Sequence, residues 1–167
     1  MKLKKILATL FKTLLLISSA YASDIYNSEP KFAPYSAGSV KSSVLNEALE
    51  EVNYIRWLVG VPNNVTLSEE YTRKAQHGAV LLDALNTLTH TPSQPGDMSD
   101  SFYSLGYDAT THGNLAYSQS YSGGQYSGNM TLSKSTKLYM DDSDAHNISA
   151  LGHRRWLMNP RLKQTGF

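Results

Sequence analysis

The sequence predicts a domain of mixed α/β (α+β) type, seen mainly through its helices, and three observations carry that reading. Leu45, Ala48, Leu49, Val52, Ile55 and Leu58 recur at steps of three and four residues, the period of an amphipathic helix. Ser68, followed by Glu69 and Glu70, opens a second stretch of the same kind. Strand signals are weak until Lys163 to Phe167, which looks like the first residues of a β-strand.

The N-terminus is read as a targeting segment and not as fold. Lys2, Lys4 and Lys5 precede an apolar run from Ile6 to Ala20, and Ala20-Tyr21-Ala22 supplies the small residues of a cleavage site. This is the pattern of a secretory signal peptide over residues 1–22. Lys12 breaks the apolar run, so a stable transmembrane anchor, which takes about 20 apolar residues, is not expected. Removing residues 1–22 from the 167 leaves 145, with 11 basic against 14 acidic residues and a balance of −3. One domain with one core fits that length, and the acidic balance argues against a nucleic-acid partner. The chain has no cysteine, so an exported domain is held by packing and not by disulfides. Asn64, Asn129 and Asn147 open Asn-x-Ser/Thr triplets, which matter only in a glycosylating host.

Residues 23–43, with Pro30, Pro34 and scattered Ser, Gly and Tyr, show no period and read as an N-terminal arm or linker. The domain proper is placed at 44–167. Its first helix runs from Val44 to Leu58 and is stopped by Gly60 and Pro62. Ser68 caps the second, whose glutamates complement the positive end of the helix dipole. An inner stripe of Tyr71, Ala75, Gly78, Leu82 and Leu85 carries it to about Leu88, with His77 off the stripe and solvated. His90 follows at the helix exit, ahead of Pro92. It is either a ligand or active-site residue, or a histidine favoured there by the negative end of the dipole.

Pro92 to His112 reads as loop, and Tyr117 to Gly128 as a mobile surface loop of low complexity, with a tyrosine-lined ligand rim as the sharper alternative. Thr131 or Ser133 caps a short helix through Leu132, Thr136, Tyr139 and Met140. Asp141, Asp142, Asp144 and His146 then cluster. They cannot form a calcium loop, lacking glycine at the sixth position and a closing glutamate. The cluster is a solvated acidic turn, or it turns one carboxylate to His153. In the final helix, Gly152-His153-Arg154-Arg155-Trp156 is either an imidazole presented at a helix start or a cationic face with a packed tryptophan, and Asn159-Pro160 ends it.

Taken together, these pieces resemble the CAP domains of bacteria (cysteine-rich secretory proteins, antigen 5 and pathogenesis-related 1). GHRRWLMNPRLKQTGF is similar to that family's closing signature. Asn53 and Arg56 with the Gly60-Val61-Pro62 turn resemble its first helix. Ser68 to Leu88 with His90-Thr91-Pro92 looks like its second helix and His-Ser-Pro element. His112-Gly113-Asn114-Leu115-Ala116 is similar to its Gly-Glu-Asn-Ile-Ala element. The match runs in order from about Leu45 to Phe167.

The resemblance implies an α-β-α sandwich with a cleft lined by two histidines and two acids. Carried over by position, the histidines are His90 and His153, and one acid is Asp142, from the match of Tyr139-Met140-Asp141-Asp142 to the family's Trp-x-x-Glu. The other acid is lost, since Gly113 stands where the family has glutamate. His90, His153 and Asp142 are therefore the candidate metal ligands and the candidate catalytic residues, with zinc as the implied cofactor and His112 as a replacement ligand beside Gly113. The family's central strands lie beyond the Thr-Gly element, here Thr165-Gly166, so the resemblance also implies a domain incomplete at its C-terminus, with a sheet edge open to association.

Two functions are carried forward. The first is a secreted or cell-surface binding module, non-enzymatic, with a degenerate His/acid cleft for a divalent metal and a small molecule, lipid or cell-surface component as partner. The second is a metal-dependent, peptidase-like hydrolase using His90, His153 and Asp142. A third role, cell-surface contact through the arm and the Tyr/Ser/Gly loop, rests on composition alone. No HExxH, GxSxG or catalytic cysteine occurs in the chain.

Overall fold

The computed structural model describes residues 25–122, 125–128, 130–145 and 147–167. The signal peptide read at 1–22 and His146 of the acidic cluster lie outside the described residues. Helix α1 spans Ser42–Leu58 and buries Ala48, Val52, Ile55 and Arg56. Leu58, the last residue of the helix, leaves the predicted stripe at 58% exposure, and Gly60, at φ 77°, then turns the chain.

Helix α2 spans Glu69–Ala84, and the Ser68 hydroxyl accepts from the Tyr71 amide at 3.3 Å as its N-cap. It stops four residues short of Leu88. The Thr87 amide donates to Leu82 O and the Asn86 amide to Asp83 O, with Asn86 at φ 47°. That is a Schellman closure with asparagine in the left-handed position. The buried stripe is Gly78, Val80 and Leu81, while Tyr71 is exposed. His77 is half-buried with its ring centroid 4.4 Å from that of Phe102.

The largest departure from expectation is helix α3, Asp100–His112, in a stretch read as loop. Ser99 caps it by accepting from the Phe102 amide at 3.3 Å, and Phe102, Gly106 and Thr110 form its buried face. A Cβ on Gly106 would lie 3.0 Å from His77 O, so α2 and α3 pack at near backbone contact. Helix α4 spans Leu132–Asp141 with Thr131 as N-cap, and helix α5 spans Gly152–Leu157.

Among the described residues two apolar clusters hold these helices. Val80, Leu81, Met98 and Phe102 close the α2 and α3 side, with Tyr35 and Ala37 packed on them. Val52, Ile55 and Leu157 close the α1 and α5 side, with Tyr139, Met140 and Phe167. Each fully buried side chain of this size contributes about 1.5–3 kcal/mol. Residues read as a periodless arm thus join the core. They form strands β1 Tyr26–Ser28, β2 Lys31–Phe32, β3 Tyr35–Ser36 and β4 Ser39–Val40, paired β1 with β4 and β2 with β3, both antiparallel.

Strand β5, Thr66–Leu67, lies just ahead of the Ser68 cap, and strands β6, Gln119–Ser122, and β7, Gln125–Gly128, form an antiparallel hairpin within the stretch read as a loop. The terminal strand β8, Gln164–Thr165, does find a partner: it runs parallel to β5 with Thr66 opposite Gln164. Helices with small two-stranded sheets make the chain the mixed α/β fold its sequence predicts.

The Asn-x-x-Arg pair of α1 explains how the layers are tied. Asn53 bonds the Val65 backbone twice, from Nδ2 to O and from the amide to Oδ1, each at 3.0 Å. Arg56 is fully buried and donates to Pro62 O at 2.7 Å, Leu157 O at 2.6 Å and Asn159 O at 3.1 Å. This fixes the exit of α5, and so the height at which its first turn, bearing His153, is presented.

Candidate functional site

Helix α4 ends at Asp142, which adopts the left-handed conformation at φ 46°. That short polar residue tolerates this geometry better than most. The turn that follows returns to α5 through Leu151, also left-handed at φ 50° and with no side chain to cap the new helix. The missing cap comes from Asp142. Its Oδ2 accepts from the Arg154 amide at 3.1 Å, and its Oδ1 accepts from His153 Nδ1 at 2.8 Å. Arg154 answers in the other direction, donating from Nε to Met140 O at 2.7 Å and from Nη2 to Asp141 O at 2.8 Å. Each helix end is thus satisfied by a residue of the other.

The Asp142 side chain is fully buried and that of His153 is 17% exposed. With both carboxylate oxygens occupied and no exposure, Asp142 sits behind the histidine and orients it. A carboxylate on Nδ1 puts the ring proton there, so the lone pair of Nε2 is the free one. Two more contacts fix the ring. Tyr139 lies beside it with centroids 5.2 Å apart, and Asn114 Nδ2 donates to His153 O at 3.2 Å. The Tyr139 hydroxyl donates to Asn114 O at 3.0 Å. Burial pushes the Tyr139 phenol up to about 12, with a smaller opposing effect of Ser135.

His90 is held by the end of α3, a few residues before Asn114. Its Nδ1 lies 2.6 Å from Thr110 O, and the Thr111 hydroxyl donates to His90 O at 3.3 Å. A carbonyl only accepts, so His90 also carries its proton on Nδ1 and leaves Nε2 free. His77 and His112 bond the carbonyls four residues back, Arg73 O and Asp108 O, which is a local helical contact. The ties of His90 and His153 instead cross between elements. His112 pairs further with Asp108, at 3.1 Å, and is 75% exposed.

The structure therefore brings Asp142 and His153 into direct contact, and it ties both His90 and His153 to the stretch from Thr110 to Asn114. Among the described residues no group of three or more His, Asp or Glu side chains is arranged to hold a metal ion. Gly113 closes α3, its amide donating to Ala109 O at 2.8 Å, and a Cβ there would lie 2.7 Å from that same oxygen. The backbone is thus built around glycine at the position where the resemblance places glutamate.

Sequence reading missed Asn114, Tyr139 and Arg154 as supports of His153. All three lie in stretches that carry the resemblance, the Gly-Asn element, Tyr139-Met140-Asp141-Asp142 and the closing signature, but nothing in those stretches says that they support the ring. Trp156, offered as a packed tryptophan, is 65% exposed.

A family model for CAP, the cysteine-rich secretory protein family, matches residues 49–167. No curated protein and no solved structure matches the chain.

Proposed function

The chain belongs to the CAP, or cysteine-rich secretory protein, family, and on that premise we propose an exported, non-enzymatic binding module. In this reading Nε2 of His90 and Nε2 of His153 hold a divalent cation, zinc in the first instance, and Asp142 orients the second imidazole without ligating. The observation that carries it is the paired anchoring of the two rings through Nδ1, on Thr110 O and on Asp142 Oδ1. Histidines that bind metals are held in this way, the second nitrogen fixed by a carbonyl or carboxylate. Two neutral imidazoles suit zinc and leave coordination positions for a ligand of the module. A bound zinc would supply Lewis acidity to such a ligand.

The non-enzymatic half of the reading rests on Gly113 and on the His153 ring. Glycine offers no carboxylate, and no hydroxyl among the described residues hydrogen-bonds that ring. Export is supported by the charged and apolar pattern of residues 1–22, and among the described residues no helix is long and apolar enough to cross a membrane. Zinc calorimetry tests the proposal. Heat above the buffer blank is expected for the parent and is expected to fall in His90→Ala and His153→Ala, and unchanged heat in the double variant overturns the site. Retention of the whole chain inside the expressing cell overturns the export step, and an intact N-terminus on secreted protein, in place of one starting at Ser23, overturns cleavage after Ala22.

The Asp142–His153 contact of 2.8 Å also favours a second reading, since a carboxylate that orients an imidazole is the arrangement of a general base. Turnover of a peptide or ester panel that is sensitive to chelator and lost in His153→Ala would replace the binding module with a metal-dependent hydrolase using His90, His153 and Asp142.

A further inference from the structure

Phe32 and Tyr35 face each other directly across the β2–β3 hairpin, and cross-strand partners project from the same face of the ribbon. That face meets the C-terminal end of α2, where Phe32, Tyr35, Asp83 and Ala84 line an open groove of roughly 310 Å³. Tyr35 is locked in place: its hydroxyl donates to Asp97 Oδ1 at 3.1 Å, and its ring tilts on Phe102 at a centroid distance of 5.8 Å. Phe32 is 43% exposed, a large apolar ring left at the groove wall. Among the described residues no hydrogen bond or ion pair engages the Asp83 carboxylate. Its negative charge reaches Tyr26, whose phenol is raised first by burial and then by the charges of Glu29 and Asp83. Lys31 adjoins Phe32 in β2 and by the alternation of a strand projects from the opposite face.

Two aromatic rings and an unpaired carboxylate make a surface of one electrostatic sign. Ring faces are negative, and a cation within about 6 Å of a ring centroid is attracted to it. An anion meets only repulsion here, and a neutral apolar group leaves Asp83 unused. The groove, roughly 310 Å³ and open to solvent, has room for a compact cationic headgroup and leaves the rest of its ligand in water. We propose that it binds a small organic cation of the alkylammonium class, with the ammonium group over Phe32 and Tyr35 and Asp83 as its counter-charge. The site shares no residue with the His90/His153 reading and stands or falls separately.

Choline and its neutral carbon isostere, 3,3-dimethylbutan-1-ol, are the probes, titrated into the full chain and followed by NMR shifts of the aromatic side chains. Saturable shifts with choline and at least a threefold weaker response to the isostere are expected. Phe32→Ala is expected to weaken choline binding roughly two- to fivefold, the value of one exposed cation–π contact. Asp83→Asn is expected to weaken it about threefold, with the loss shrinking as salt is raised. Both side chains are exposed, so unchanged melting midpoints certify folded variants. Equal binding of choline and isostere, absence of choline binding, or choline affinity unaltered in both folded variants overturns the proposal.

Discussion

Asp142→Asn separates what this residue does for the fold from what it does for His153. Asparagine has the same size and tolerates the left-handed backbone that Asp142 adopts at φ 46°. Two donors now converge on the carboxylate, the Arg154 amide at 3.1 Å and His153 Nδ1 at 2.8 Å. An amide offers one acceptor and one donor group. The arrangement that satisfies every partner has the amide oxygen accepting from the Arg154 amide and the amide nitrogen donating to Nδ1. The imidazole must then move its proton to Nε2. Stability changes little, because two bonds are kept and only their charge assistance is lost, a cost of about 1–1.5 kcal/mol.

Function changes more. A protonated Nε2 cannot ligate, and misdirecting a metal-binding histidine through its orienting partner lowers affinity by about 10- to 100-fold. Calorimetry with zinc reads that loss, and ¹⁵N shifts of the imidazole nitrogens report the tautomer directly. Asp142→Ala is the contrasting variant: it leaves the Arg154 amide without a cap, so about 3 kcal/mol of stability is expected to go with the affinity. The reasoning is refuted if Asp142→Asn binds zinc within twofold of the parent while its His153 proton is on Nε2.

Three further outcomes are expected. Arg56→Met gives up three charge-assisted bonds worth about 1.5–3 kcal/mol each and regains the several kcal/mol of burying a guanidinium. With Nη2 buried and unbonded, we expect a net loss of about 3 kcal/mol, or roughly 10 °C in melting midpoint, and a variant as stable as the parent contradicts this. Tyr139 is raised to about 12 in the folded chain, from 10.0. Between those values the unfolded chain has lost the phenolic proton and the folded one has kept it, so stability falls as pH rises through that window, by on the order of 2–3 kcal/mol. Tyr139→Phe should flatten that part of a denaturant-midpoint profile. A Cβ on Gly166 would overlap the backbone of Tyr71 and Thr72, so Gly166→Ala forces β8 away from the start of α2. We expect a cost on the order of 3 kcal/mol by thermal melting.

What could be read from sequence divides by the range of the interaction behind it. The cap at Ser68, and that at Thr131 as one of two candidates beside Ser133, were legible because the hydroxyl and the amide it receives lie three residues apart. The α1 stripe was legible because burial repeats with the helical period. Helix α3 was not: Ser, Tyr, Gly, Asp and Thr all rank below alanine as helix formers, and their composition outweighed the spacing of Phe102, Gly106 and Thr110. Its stability comes from packing on α2, where Gly106 approaches His77, and that contact belongs to no local window. The overrun of α2 to Leu88 has a sharper cause, since Asn86 is a closing residue that the apolar period of Leu85 and Leu88 masked.

The same argument explains why the geometry of the candidate site was only partly visible in the sequence. His90 and His153 stand out at a helix exit and a helix start, and the acidic cluster offers a carboxylate to His153, but only the resemblance singles out Asp142 and nothing in the spacing says that it is the one in contact. The structure resolves them into unequal parts because Asp142 is spent on closing a gap between helices: α5 begins at Leu151 with no side-chain cap, and the carboxylate eleven residues before His153 fills that role with one oxygen. Its second oxygen is then held at the distance of His153 Nδ1. Orientation of the imidazole is therefore a by-product of helix capping, and any substitution of Asp142 that caps α5 without accepting from His153 should leave the fold intact and the ring misdirected.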